Sequence, residues 1–187
     1  MEKNVAIKKI VLLGPESTGK TTLCTQLADH FDSAYVPEFA REYLSKNGKA
    51  YTYEDLFSIA NGQLLLEDQS EIILSQKTHS HSSKYIPLFI DTDLQVIKVW
   101  SEFVFNRCDN RILNEIAKRK YDLYLLCNPD LPWVKDELRE YPDQKIRVKL
   151  YLHYKELLLN QSCPWIEIKG SNSERFSLAQ RAVESLF

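Results

Sequence analysis

Short, mostly apolar runs alternate along this chain with longer stretches in which apolar residues return every three or four positions. The runs at residues 7–13, 34–36, 86–90, 123–127 and 165–169 predict five strands. They lack polar alternation, as expected when helices cover both faces of a sheet. The intervening stretches predict helices over residues 20–31, 39–45, 53 to about 76, 93–105, 109–118, 148–160 and 173–186. Asn47-Gly48 is a stop signal after the second of these. In the third, Leu56, Ile59, Ala60, Gln63, Leu64, Glu67, Ile72 and Ile73 keep a helical period for most of its length, but Gly62 interrupts it. Strands separated by one or two helices predict an α/β fold of three layers, with a five-stranded, mainly parallel sheet flanked by helices. With no internal repeat, long linker or low-complexity tract, residues 1–187 are expected to form a single domain.

The first strand runs into Gly14, Pro15, Glu16, Ser17, Thr18, Gly19, Lys20 and Thr21, which complete the pattern G-x-x-x-x-G-K-[ST], with Thr22 following in the predicted helix. Strand before and helix after are what this motif requires. Backbone N–H groups at the start of the helix then converge on a phosphate, and the two glycines allow a tight wrap. Lys20 supplies a cation for the β- and γ-phosphates, and the Thr21 hydroxyl can ligate Mg²⁺. The motif therefore predicts a P-loop NTPase fold that binds ATP with Mg²⁺.

Three other segments sit at the carboxyl ends of predicted strands, where open α/β sheets place their ligands. Leu88-Phe89-Ile90-Asp91 ends the third strand in a carboxylate suited to Mg²⁺ beside Thr21, and Asp93 is open to two roles, helix cap or substrate contact. After the second strand come Glu38 and Arg41, three apart and on one helical face. Glu38 can accept a hydroxyl proton, and Arg41 can neutralise transferring charge. Whether Glu38, Asp91 or Asp93 acts as base stays open at this level. After the fourth strand, the charged, proline-broken segment of about residues 129–147 reads as a lid whose Arg139 and Arg147 supply charge in cis. Tyr35, Phe39, Tyr43, Tyr51, Tyr53, Trp100 and Trp133 are the aromatics near this second site; a flat acceptor would need some of them for stacking, and most read as core.

Composition adds mostly exclusions. A hydrophobic fraction of 44%, a charged fraction of 27% and a net charge of −2 fit a globular protein without a nucleic-acid-binding surface. No run approaches a membrane span, and Met1-Glu2-Lys3-Asn4 leads into the first strand without a cleavable leader. The four cysteines, Cys24, Cys108, Cys127 and Cys163, are too scattered for a metal site and predict reduced thiols in a cytoplasmic protein. His79 and His81 read as part of a solvated polar loop rather than a metal site. Self-association into a homo-oligomer is compatible with all of this.

The ordered set of the loop at 14–21, Pro37-Glu38-Phe39-Ala40-Arg41-Glu42-Tyr43, Phe89-Ile90-Asp91-Thr92-Asp93, and Trp133 and Asp136 followed by Arg139 and Arg147 resembles a known family. It is similar to the ribosylnicotinamide kinase domain of bacterial NadR-type proteins and its stand-alone relatives among AAA-type ATPases. The likeness runs from about Ile10 to Leu186. It implies transfer of phosphate from ATP, with Mg²⁺, to the 5′-hydroxyl of nicotinamide riboside. On that footing Lys20, Thr21 and Asp91 position MgATP, Glu38 is the base or a ribose-hydroxyl partner, and the arginines belong to a lid. Another nucleoside or nucleotide kinase, and an NTP-binding regulatory ATPase, are the alternatives.

Overall fold

The computed structural model describes residues 5–77 and 84–187, so His79 and His81 lie outside the described residues. Five strands form one sheet: β1 (Ala6–Leu13), β2 (Ala34–Val36), β3 (Tyr85–Asp91), β4 (Leu123–Cys127) and β5 (Trp165–Ile168). Their order is β2-β3-β1-β4-β5, and every pairing is parallel, where the pattern required only that most be so. Seven helices connect and cover them: α1 (Lys20–His30), α2 (Phe39–Asn47), α3 (Tyr53–Lys77), α4 (Leu94–Phe105), α5 (Asn110–Lys118), α6 (Gln144–Leu159) and α7 (Asn172–Glu184).

Successive side chains of β1 point to opposite faces and so enter different cores. Ile10 and Leu12 pack with α1 and α7, whereas Val11 and Leu13 pack with α3, α4 and α6. A smaller apolar cluster joins α3, α4 and α5 under Phe39 and Tyr43 of α2. Buried on both faces, the central strands hold the loops at their carboxyl ends on a rigid floor.

Helix starts follow local chemistry. Asp93, Asp109 and Asp143 each accept a hydrogen bond from the backbone N–H two residues on, and Ser171 with Glu174 forms a reciprocal capping box. The Asp143 cap starts α6 at Gln144, four residues before the predicted 148. Residues 144–147 carry too little apolar periodicity to be read as helix, but the cap fixes them. Among the described residues, no helix is long and apolar enough to cross a membrane, and all four cysteines are free thiols.

Beneath the sheet's carboxyl edge lie two buried acids, Glu67 of α3 and Asp93. The Tyr121 hydroxyl donates to Glu67 and the Tyr124 hydroxyl to Asp93, each at 3.0 Å. Burial, and then the charge of Asp93, pushes Glu67 up to about 7, while burial pushes Asp93 up to about 6. Both folded values lie above those of the unfolded chain, so the native state binds the extra protons. The stability this contributes is complete below about pH 4 and is lost as pH rises through the two folded values. Glu67→Gln should flatten that dependence. In thermal melts, wild-type Tm should fall on the order of 5 °C further than the variant's between about pH 5 and 8. Equal falls would show that Glu67 ionises in the native state as easily as in the unfolded one.

Candidate active site

From Leu13 the chain passes beside β4 so closely that a Cβ on Gly14, at φ 142°, would stand 2.6 Å from the Cys127 carbonyl oxygen. Only glycine permits that passage. The loop then folds on itself: Thr18 Oγ1 donates to the Pro15 carbonyl at 2.8 Å, and Lys20 Nζ donates to the Gly14 and Pro15 carbonyls at 2.9 Å each.

Two buried arginines hold the loop from behind. Arg147, 1% exposed, donates through Nη2 to the Ser17 carbonyl (3.0 Å) and the Leu131 carbonyl (3.2 Å). Arg175 donates to the carbonyls of Thr18 (3.0 Å), Asn128 (2.8 Å) and Gly170 (2.9 Å) and pairs with Asp130. In a planar trans peptide C=O and N–H point opposite ways, so drawing the carbonyls back turns the N–H groups forward. Arg147 thus departs from its expected place. It belongs to the first turn of α6, beneath the phosphate loop, and not to the lid. Arg175 was not singled out in the sequence. A signal existed, since both arginines sit in the first turn of a helix, where the dipole disfavours a cation unless something else engages it.

Beside the loop, the Thr21 hydroxyl donates to Asp91 Oδ2, while the buried Asp91 Oδ1 has no hydrogen-bond partner. Burial raises the Asp91 pKa; Lys20, the Thr21 hydrogen bond and Arg41 work against that rise. A buried carboxylate oxygen without a partner is costly. The fit is to a hydrated divalent cation, whose oxygen ligands would satisfy it. Among the described residues no group of three or more His, Cys, Asp or Glu could hold a metal, so such a cation would complete its shell from phosphate and water. Thr92, next in the chain, is held at φ 71°, a costly conformation for a β-branched residue, and lines the cavity above. Asp93 does not. Its Oδ1 accepts from Gln95 N at 2.9 Å and Oδ2 from the Tyr124 hydroxyl, which decides the two open roles in favour of the helix cap.

Glu38 occupies the position before α2 but makes no capping hydrogen bond, which leaves its carboxylate free at the cavity wall. Burial and then the Asp91 charge raise its pKa, and Glu16 adds to this; Lys20 and Arg41 lower it. Arg41 approaches Glu38 at 3.9 Å and pairs more closely with Asp136 at 2.9 Å. Asp136 lies in the irregular segment 128–143 that precedes α6. The same segment is tied to the phosphate loop: the Glu16 carboxylate accepts from Trp133 Nε1 (3.3 Å), Glu140 N (2.9 Å) and Tyr141 N (2.5 Å), and Ser17 Oγ accepts from Val134 N (2.9 Å). Arg139 reaches the cavity from this segment and donates to the Val134 carbonyl.

One cavity of about 200 Å³ joins these parts. Residues 14–22 line it together with Glu38, Arg41 and Arg139, and so do Tyr51, Trp100, Glu140, Gln63 and Tyr154. Of the aromatics named from sequence, Tyr51 and Trp100 reach it, bonded to each other through Trp100 Nε1 and the Tyr51 hydroxyl. Trp133 instead rests against Glu16. Gln63, Glu140 and Tyr154 were read from sequence as lid or helix residues without a site role. They are placed by long-range packing, which no local pattern encodes.

The model of a family described as AAA domain matches residues 9–175. The trifunctional NAD biosynthesis/regulator protein NadR of Salmonella typhimurium is 26% identical over 170 residues, covering 89% of this chain and 39% of that protein. Its Escherichia coli counterpart is 28% identical over 137 residues, covering 71% of this chain and 31% of that protein. The chain therefore spans less than half the length of the curated relatives it matches. Among solved structures, a NadR protein in complex with NR superposes with a TM-score of 0.71 at 18% identity, over 98% of this chain and 50% of that one. Thymidylate kinase from Ehrlichia chaffeensis gives 0.65 at 11% identity, over 97% and 100%. The chain belongs to the AAA domain family, is a NadR-type P-loop domain, and has the fold of the P-loop kinases.

Proposed function

We propose that this domain is an ATP-dependent nucleoside kinase that phosphorylates the 5′-hydroxyl of nicotinamide riboside to nicotinamide mononucleotide. The observation that carries it is the continuity of the cavity, which the phosphate loop lines together with the Glu38 carboxylate. A P-loop alone serves switches and motors as well. A base beside it, next to space for a second molecule, serves transfer.

In the proposed reaction the acceptor's 5′-oxygen attacks the γ-phosphorus of ATP, the bond to the β,γ-bridging oxygen breaks, and the hydroxyl proton passes to Glu38. Lys20 and the loop N–H groups hold the phosphates, and Arg41 and Arg139 face the charge that develops. Arg147 serves from behind, by fixing the loop. Magnesium, when bound, would neutralise the β- and γ-phosphate oxygens, with Thr21 and Asp91 as the residues that hold it.

With Lys20, Arg41 and Arg139, which line the same cavity, engaged by the triphosphate, the remaining lining supports a cationic nucleoside. Glu16, Glu38 and Glu140 all line the cavity, and the indole of Trp100 offers an aromatic face of the kind that attracts a cation. The negative charge of Glu16 helps raise the pKa of both Glu38 and Glu140. A pyridinium relieves that repulsion, whereas a nucleoside monophosphate adds to it. An ADP-release assay across nicotinamide riboside, thymidine, adenosine and thymidine monophosphate tests this. The expected result is stimulation by nicotinamide riboside at least ~10-fold above the others, about 1.4 kcal/mol of discrimination. Preference for thymidine monophosphate would make the protein a nucleotide kinase, and no stimulation by any acceptor would remove the kinase assignment.

A further inference from the structure

Glu38 stands at a helix N-cap, where a side-chain oxygen can fold back to accept the N–H of the second or third helical residue. A carboxylate spent in this way is a poor base, because hydrogen bonds to its charged form hold the proton off. Yet Glu38 makes no such bond. The reason lies 25 residues downstream, in the middle of α3. Gln63, 2% exposed, accepts a hydrogen bond from Phe39 N through Oε1 at 2.9 Å and donates to the Pro37 carbonyl through Nε2 at 3.4 Å. It therefore grips the backbone on both sides of Glu38 and satisfies the first amide of α2. Its neighbour completes the fit. A Cβ on Gly62 would lie 2.0 Å from the Phe39 ring, so the ring lies on α3 only because residue 62 has no side chain. Glycine costs a helix interior roughly 1 kcal/mol relative to alanine, and here the contact it permits fixes the residue next to Glu38.

We propose that Gly62 and Gln63 are positioning residues: they anchor the backbone on both sides of Glu38 so that its carboxylate stays turned to the cavity for proton transfer. This role rests on Glu38 being the base, as proposed above. The groups that face Glu38 are Asp91 from β3, Lys20 and Glu16 from the phosphate loop, Arg41 from α2 and Tyr154 from α6. None of them holds the backbone at Pro37 or Phe39, so loss of Gln63 loosens that turn and lets Glu38 fold back onto the amides of Ala40 and Arg41.

The test is steady-state kinetics with ATP and nicotinamide riboside on Gln63→Met, which keeps the length of the side chain and removes both hydrogen bonds. The expected result is a fall in kcat of ~10-fold or more with KM for ATP unchanged. The acidic limb of the kcat–pH profile should move to lower pH as Glu38 turns to the helix. Added to Glu38→Gln, the same change should lower kcat by less than ~2-fold, because its target is already gone. Gln63→Glu, which keeps the acceptor for Phe39 N, should recover most of the kcat lost and carries the test should Gln63→Met not fold. A rise confined to KM for nicotinamide riboside would make Gln63 an acceptor contact and overturn the positioning role. So would a kcat loss of the same size with and without Glu38. Failure of Glu38 as base shows separately, as a Glu38→Gln enzyme with unaltered kcat.

Discussion

Lys20→Ala is expected to lower kcat/KM for ATP by ~10³-fold or more, about 4 kcal/mol of lost transition-state stabilisation. The loop's remaining donors are backbone groups that can bind phosphate but carry no full charge. Lys20 is the cation within the motif, and its Nζ is parked on the Gly14 and Pro15 carbonyls. Those bonds go to acceptors at the cavity wall, which water can replace, so the truncation should leave Tm within a few degrees of wild type. Binding of ATP by calorimetry, alongside the kinetics, separates the contributions. Weaker binding in proportion to the rate loss would place the role of Lys20 in the ground state, and a rate loss with intact binding would place it in transfer. Wild-type activity in the variant would sink the assignment of the loop as donor site.

The strands were legible because burial on both faces leaves a mostly apolar signature: β2 and β4 match their predicted limits, β1 and β5 differ by one residue at one end, and β3 is one residue longer at each end. The donor site was legible for a related reason, since its chemistry is carried by contiguous residues. Thr21 and Asp91, 70 positions apart, could be paired because Asp91 ends β3 and Thr21 follows the loop that leaves the end of β1. What the sequence could not display were residues that act from a distance on someone else's backbone. Arg175 is 157 positions from the carbonyl of Thr18 that it binds. Gly62 lowered the helical score of α3 in sequence, and the same residue is what allows Phe39 to pack there. A local misfit of this kind, a glycine in mid-helix or an arginine in a first turn, marks a place where tertiary contacts outweigh local preference.

The lid adds a constraint that bears on both halves of the site. Glu16 belongs to the phosphate loop and also accepts three donors from segment 128–143, while Asp136 of that segment holds Arg41. Donor loop, lid and the helix bearing Glu38 are thus joined by ion pairs and hydrogen bonds and not by continuous core. Such joints are weaker than core packing and open at lower free energy, which would suit the proposed lid role of segment 128–143 in a two-substrate transfer.

Glu38→Gln should lower kcat by ~10²-fold while leaving KM for ATP near its wild-type value. The amide is nearly isosteric and keeps an oxygen able to accept a hydrogen bond from an acceptor hydroxyl, so binding survives and proton removal does not. The pH profile gives the sharper signature. Burial, reinforced by Asp91, holds the Glu38 proton above the usual carboxylate range of about 4. Since the base must be ionised, wild-type kcat should rise with pH through that elevated value and then level off. In Glu38→Gln that limb should vanish, leaving a low and flat rate. A limb that persists unchanged would assign the titration to another group, with Asp91 the nearest candidate. A variant with normal kcat and a raised KM for the nucleoside would make Glu38 a ribose-hydroxyl partner, and transfer would then proceed with the proton leaving directly to the phosphoryl oxygens or to water.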